Sequence, residues 1–110
     1  MNATIATTEL QRLMKGTFFR VPTKSAVLTL TAIEGRLILC SGTGGASTAA
    51  AVTSPGEVTV SAKTFRKVLD TYEGTASVVL TASAAGLCIN SFKMPISSWN
   101  PAPLVPDGFV

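Results

Sequence analysis

Five basic side chains recur at spacings that place them on the outward faces of two predicted helices. They are Arg12, Lys15, Lys63, Arg66 and Lys67, out of nine basic residues in the chain. Cations arranged in this way contact phosphate groups without reading a sequence, and such binding weakens as the salt concentration rises. Ordinary solvated helix faces carry the same residue types, so the pattern alone leaves that second interpretation open.

Catalytic chemistry has little support in the sequence. The chain has no histidine, two cysteines and six carboxylates among its 110 residues. Ser-His-Asp centres, Cys-His centres and histidine-ligated metals are therefore excluded, and no Cys-x-x-Cys pair replaces them. The glycine-rich stretch Ser41–Gly45 lacks the lysine and the following helix of a phosphate loop. We predict a protein that is not an enzyme and that has no cofactor and no metal site.

The composition predicts a single domain with an excess of apolar surface. Hydrophobic residues make up 46% of the chain and charged residues 14%, with a net charge of +3. No apolar run is long enough to span a bilayer, and the N-terminal residues lack the pattern of a signal peptide, so we expect no membrane partner and a cytoplasmic location. The excess apolar surface is expected to meet another chain. Cys40 and Cys88, each in a predicted strand, are expected to be buried free thiols.

The second half of the chain predicts a βαβββ unit. Its helix, about Ala62–Tyr72, has apolar residues at i, i+3, i+4 and i+7, which gives one apolar stripe opposite the basic face. The flanking strands are predicted at Val58–Val60, Ser77–Ala82, Leu87–Asn90 and Phe92–Ile96.

The first half repeats this unit. A shift of 55 residues aligns Leu10 with Phe65 and Leu13 with Val68, and a shift of 50 aligns Thr31 with Thr81. Since a unit of this size has an apolar face that it cannot bury alone, two copies are expected to close one core. We predict an α+β fold, a duplicated βαβββ unit with two helices packed on antiparallel sheets. The domain is placed at residues 1–98, with half-repeats at about 2–54 and 57–97.

Several local features complete the expectations for the first half and the tail. A helix ends near Gly16, Thr7 or Thr8 caps its start, and Phe18 and Phe19 tuck against a sheet. The predicted strands are Asn2–Ala6, Ser25–Ile33, Arg36–Cys40 and Ala46–Thr53. The tail, residues 99–110, contains three prolines that prevent ladder pairing, and Trp99 anchors its base.

These elements and several short strings resemble a domain of the bacterial sliding clamp, the beta subunit of DNA polymerase III. The strings are VTVSAK, LTLTA, EGRL and FKMPI, and the resemblance spans Ile5 to about Ile96. It implies a clamp-like domain whose helices line the inner wall of a ring and turn their basic faces toward duplex DNA. The DNA-binding residues would then be the five basic side chains named above.

The chain departs from that family in one respect that bears on assembly. A clamp subunit carries three such domains and two subunits close a six-domain ring, whereas this sequence contains one domain. Unpaired sheet edges favour self-association, and a ring of six subunits would reproduce the same geometry. In the alternative hypothesis the domain is a clamp-derived interaction module that binds a replication protein without touching DNA, through its sheet edges or through Leu104 and Phe109 of the tail.

Overall fold

The computed structural model describes residues 1–17, 26–41 and 44–101. Within these ranges the chain forms two helices, α1 (Thr7–Thr17) and α2 (Ala62–Thr71). The strands are β1 (Asn2–Ala6), β2 (Val27–Ile33), β3 (Arg36–Ser41), β4 (Gly44–Ala49), β5 (Ala51–Ser54), β6 (Gly56–Ser61), β7 (Ser77–Ser83), β8 (Gly86–Ile89), β9 (Phe92–Met94) and β10 (Ser98–Asn100). The α+β prediction, with two helices on antiparallel sheets, is confirmed.

The strands form two five-stranded antiparallel sheets, and each sheet contains strands from both repeats. Sheet A has the order β5-β1-β7-β8-β9 and sheet B the order β10-β6-β2-β3-β4. The first strand of each repeat therefore pairs with the second strand of the other, as in Asn2 opposite Thr81 and Glu57 opposite Thr31. Neither repeat forms a sheet from its own strands alone, because each sheet needs strands from both.

One core lies between the sheets and under the helices. On α1 the buried residues are Leu10, Leu13 and Met14, and on α2 they include Phe65, Val68 and Leu69. The apolar stripes predicted from the 3.6-residue period are thus the faces that pack inward. No helix in the described ranges is both long enough and apolar enough to cross a membrane.

Both helices begin with the same kind of backbone hydrogen bond, but their N-caps differ. The first amide of α1, Thr7 N, donates to Ala76 O at 3.2 Å, and the first amide of α2, Ala62 N, donates to Ala26 O at 3.1 Å. Ser61 caps α2, since its Oγ accepts from Thr64 N at 3.4 Å. The predicted threonine cap of α1 is wrong, because Thr7 and Thr8 both lie inside the helix. The buried Oγ1 of Thr7 has no hydrogen-bond partner among the described residues.

The prediction of one strand over Ala46–Thr53 is also wrong. The chain forms β4 on the edge of sheet B, breaks at Ala50 and continues as β5 on the edge of sheet A. Ala50 N donates to Gly35 O at 2.9 Å instead of to a ladder partner. The alternation of residues along a strand cannot show this break, because it arises from a change of pairing partner.

Both cysteines are free thiols but only half-buried. Their neighbours along the strands, Leu39 beside Cys40 and Leu87 and Ile89 beside Cys88, belong to the core. Because side chains alternate between the faces of a strand, both thiols lie on the outer faces of the sheets, so the predicted burial is wrong. Phe18, Phe19 and the tail beyond Pro101 lie outside the described residues. Trp99 lies in β10 and packs against the core, so sheet B extends past the predicted start of the tail.

Candidate nucleic-acid interface

The two helices that carry the predicted binding residues are neighbours in space. α1 and α2 contact each other, and each also packs on strands of sheet B. Since both apolar stripes enter the same core, the opposite faces of the two helices point away from it. The two helices therefore lie beside each other, and their faces opposite the core are not buried.

The five predicted basic residues all lie on the outward faces of these helices. Arg12, Lys15, Lys63 and Lys67 are exposed, and Arg66 is half-exposed. Each of them sits beside a core residue of its helix, as Lys67 sits beside Val68. The structure thus brings together, on two adjacent helices, cations from the two repeats that are far apart in the sequence.

The helices also account for the entire net charge of the protein. They contain five basic residues and two acidic ones, Glu9 and Asp70. The rest of the chain has four basic and four acidic residues, which cancel, so the net charge of +3 resides on the helices. A modest overall charge is therefore concentrated on a small part of the molecule, where its field is strongest.

One of the five cations is already engaged within the chain. Arg12 Nη2 lies 2.7 Å from Glu9 Oε2, and Thr48 Oγ1 on β4 donates to the same oxygen at 3.3 Å. The hydrogen bond and the charge of Arg12 lower the pKa of the Glu9 carboxyl. Among the described residues this is the single ion pair, and Lys15, Lys63, Arg66 and Lys67 take no part in one.

Glu9 is the residue of the surface that sequence reasoning left out. Its spacing of three from Arg12 was a sufficient signal, because side chains at i and i+3 of a helix are neighbours. Its effect is to weaken the positive potential at the α1 end of the surface. The contact with Thr48 depended on where β4 packs and could not be read from the sequence.

Charges on α2 are arranged against the helix dipole. Lys63 lies in the first turn, where the dipole is positive and where no acidic residue is present, and Asp70 lies near the negative end. Each placement disfavours the helix itself. In a folded protein, residues that oppose local stability in this way are expected at functional positions.

Comparison with solved structures identifies the architecture. The Caulobacter crescentus DNA polymerase III beta subunit superposes with a TM-score of 0.70 at 18% identity, covering 98% of this chain and 33% of that chain. A second structure, the DNA polymerase sliding clamp from the same organism, also gives a TM-score of 0.70 at 18% identity and covers 98% of this chain and 34% of that chain. A third C. crescentus beta sliding clamp gives 0.67 at 15% identity, with 98% and 33% covered.

This chain has the fold of a sliding-clamp domain. The resemblance noted in the sequence is confirmed at the level of the fold, and the clamp-like domain spans about one third of the length of the clamp chains that it matches. No protein-family model and no curated protein matches the sequence.

Other classes of site find no support in the described part of the clamp-like domain. Its His, Cys, Asp and Glu residues form no group of three or more that could hold a metal ion. Cys40 has a pKa raised by burial and by the nearby Glu57 carboxylate, which lowers its thiolate fraction. The helix surface is therefore the chemically distinctive feature of the domain.

Proposed function

We propose that the clamp-like domain binds duplex DNA non-specifically through the outward faces of α1 and α2, with Arg12, Lys15, Lys63, Arg66 and Lys67 facing phosphates. The supporting observation is that the whole net charge lies on two helices that contact each other. A binding role is favoured over catalysis because the surface offers cations without an acid, base or nucleophile beside them. The partner is recognised by its phosphate backbone.

A matched pair of charge reversals tests this assignment. One variant combines Lys63→Glu and Lys67→Glu on α2, and the other combines Arg36→Glu on sheet B and Lys93→Glu on sheet A. Both change the net charge equally, and all four residues are exposed. We expect the helix variant to weaken duplex binding by more than about tenfold at low salt, with a smaller effect of the sheet variant. Fluorescence anisotropy with a labelled duplex measures both, and equal losses would show that overall charge, not this surface, drives binding.

We further propose that the domain self-associates through its sheet edges, in a ring of up to six subunits around the DNA. Among the described residues, the edge strands are β5 and β9 in sheet A and β10 and β4 in sheet B. Open edges offer amide and carbonyl groups to another chain, and Phe92 on β9 is 48% exposed. Because the C. crescentus clamp chain is about three times as long as this one, several copies would be needed to build a ring of clamp size.

Mass in solution tests the assembly. Sedimentation at micromolar concentration, with and without duplex, is expected to show a species larger than one subunit. A strict monomer under both conditions would remove the ring. DNA binding by the helices would still be judged separately by the charge-reversal variants.

A further inference from the structure

The four described edge strands differ in how well they are protected against pairing with another chain. Proteins protect such strands by keeping them short, by placing a lysine or a proline on them, or by a bulge. β9 and β10 have three residues each and are followed directly by Pro95 and Pro101. β5 has four residues, is followed by Pro55, and pairs with β1 in an irregular register. These three edges therefore have features that hinder pairing.

β4 is the exception among the described edge strands. It has six residues, Gly44–Ala49, with no charged residue and no proline. All six pair with β3 in one unbroken register, from Gly44 opposite Ser41 to Ala49 opposite Arg36. A strand that is long, regular and uncharged offers its outer row of amide and carbonyl groups to a further strand.

The internal repeat shows this difference at one pair of equivalent positions. Ser47 lies opposite Ile38 on β3, and Lys93 lies opposite Cys88 on β8. Because β3 and β8 are equivalent strands, Ser47 and Lys93 occupy matching places at the edges of their sheets. Two copies joined through β9 would bring their Lys93 side chains together, and like charges on paired strands are destabilising. β4 itself has no charge to oppose its copy.

The direction of the backbone amides shows how a copy can pair with β4. Ala50, one residue beyond the strand, donates its amide to Gly35 O at 2.9 Å. Inward and outward amides alternate along an antiparallel ladder, so the amides of Gly45, Ser47 and Ala49 point away from β3. Ser47 is the middle one of the three. A two-fold axis at Ser47 therefore lets all three outward amides pair with a copy of the same strand.

α1 holds β4 in place for such a contact. The helix packs on this strand, and Thr48 Oγ1 donates to Glu9 Oε2 at 3.3 Å. Ala46, on the same face of β4 as Thr48, packs against the core. The inner face of β4 is thus fixed while no other described strand pairs with its edge. A strand that is already ordered loses little conformational freedom when a partner binds.

We propose that a second copy of this chain pairs antiparallel with β4, so that the two β4 strands meet at a two-fold axis at Ser47 and join two copies of sheet B into one continuous sheet. The proposal rests on the self-association proposed above and assigns it to one edge. Since the strand pairs with itself, the contact closes at two copies, and a larger ring would be assembled from such pairs.

This geometry also places the helices of the two copies. The two-fold axis of an antiparallel pair is perpendicular to the sheet, so both copies keep their helices on the same side of the joined sheet. The contact thus brings the two α1 helices, each packed beside β4, to one side of the assembly.

Cysteine cross-linking tests the position of the axis. In a background with Cys40→Ser and Cys88→Ser, Ser47→Cys places one thiol on each copy, and Lys93→Cys is the matched control on β9. Directly opposed residues of a hydrogen-bonded pair have Cα atoms about 5.5 Å apart, which a disulfide can span. We expect oxidation to convert at least about fivefold more of the Ser47→Cys protein into a covalent dimer on a non-reducing gel. Equal or greater cross-linking of Lys93→Cys would overturn the proposal.

A charge placed on β4 tests the same edge without a cross-link. Ser47→Lys gives β4 the lysine that β9 has at the matching place, and Thr81→Lys adds the same charge at an exposed position of an inner strand. We expect Ser47→Lys to raise the dissociation constant of the pair by about fivefold or more and Thr81→Lys to change it by less than about twofold. Sedimentation over a concentration series measures both.

The outcomes separate this proposal from the others. Equal dissociation constants in the two lysine variants would overturn the assignment to β4 but not self-association itself. A parent chain that stays monomeric at every concentration would overturn both, whereas DNA binding by the helices is judged by its own charge-reversal variants. Ser47→Cys adds no charge, so it still tests the edge if Ser47→Lys fails to fold.

Discussion

The two helices occupy equivalent places in the repeat, yet their charges serve them in opposite ways. α1 has Glu9 in its first turn and Lys15 in its last, which suits the helix dipole. α2 has Lys63 in its first turn and Asp70 near its end, which opposes it. Helix stability therefore explains the charges of α1 but not those of α2.

We infer from this difference that the two helices pack alike on the core but contribute unequally to the proposed binding of phosphates. Glu9 also holds Arg12 in an ion pair, so α1 offers one cation outside an ion pair, whereas α2 offers three. Positive charge that does not stabilise its own helix needs another explanation, and the proposed phosphate partner would supply one. The following tests ask whether packing is equal and binding unequal.

The largest effects are expected in the core, where the helices should be alike. Phe65→Ala on α2 and Leu10→Ala on α1 remove completely buried side chains at equivalent positions. We expect losses in the free energy of unfolding of about 3–5 kcal/mol for the first and about 2–5 kcal/mol for the second, measured by urea denaturation. Lys67→Ala is the exposed control and should change it by less than about 0.5 kcal/mol. If only one of the two core variants lost unfolding free energy, the two helices would not pack alike.

The next largest difference between the two helices is expected in DNA binding. The double variants Lys63→Ala with Lys67→Ala on α2 and Arg12→Ala with Lys15→Ala on α1 each remove two positive charges. The slope of log affinity against log salt is expected to fall by about 0.9 for each phosphate that is no longer neutralised. We expect the slope to fall by about 1.8 in the α2 variant and by about 0.9 in the α1 variant, since Arg12 is engaged with Glu9. Equal slopes in the two variants would remove the distinction.

Capping is expected to give a smaller difference. Ser61→Ala removes the side chain that accepts from Thr64 N and should destabilise the protein by about 1 kcal/mol in thermal unfolding. Ala6 is the counterpart of Ser61 at the start of α1, so Ala6→Ser should add a cap and raise stability by a similar amount. An unchanged unfolding temperature in Ala6→Ser would show that a serine at this position does not cap α1.

The smallest effect concerns the Glu9–Arg12 pair and its pH dependence. Since Arg12 lowers the pKa of the Glu9 carboxyl, the pair contributes stability above the unfolded pKa, and that contribution is lost as the pH falls through the lowered folded value. NMR titration should show the Glu9 pKa returning toward its ordinary value in Arg12→Ala. Glu9→Gln should also strengthen DNA binding by less than about tenfold, because it frees Arg12. An unshifted Glu9 in the parent protein would contradict both expectations.

Much of the architecture could be predicted because it depends on residues that lie close together in the sequence. The period of Leu10, Leu13 and Met14 and that of Phe65, Val68 and Leu69 each define one apolar face, and the faces opposite them are the outward ones. The shifts of 55 and 50 residues revealed the duplication. The five candidate cations followed from the same periodicity, although the Glu9–Arg12 pair was missed and DNA binding itself remains a prediction.

By itself, the sequence determined the repeat, the two amphipathic helices, their basic faces and the absence of histidine chemistry, because each of these depends on residue type and short-range spacing. The tertiary structure decided that β1 pairs with β7 and β6 with β2, that the chain breaks at Ala50, and that Thr31 is buried where Thr81 is exposed. Alternation along a strand shows which side chains share a face but not which strand lies beside it. The choice of pairing partner and the burial of a side chain depend on distant segments meeting around one core, and only the assembled fold supplies that information.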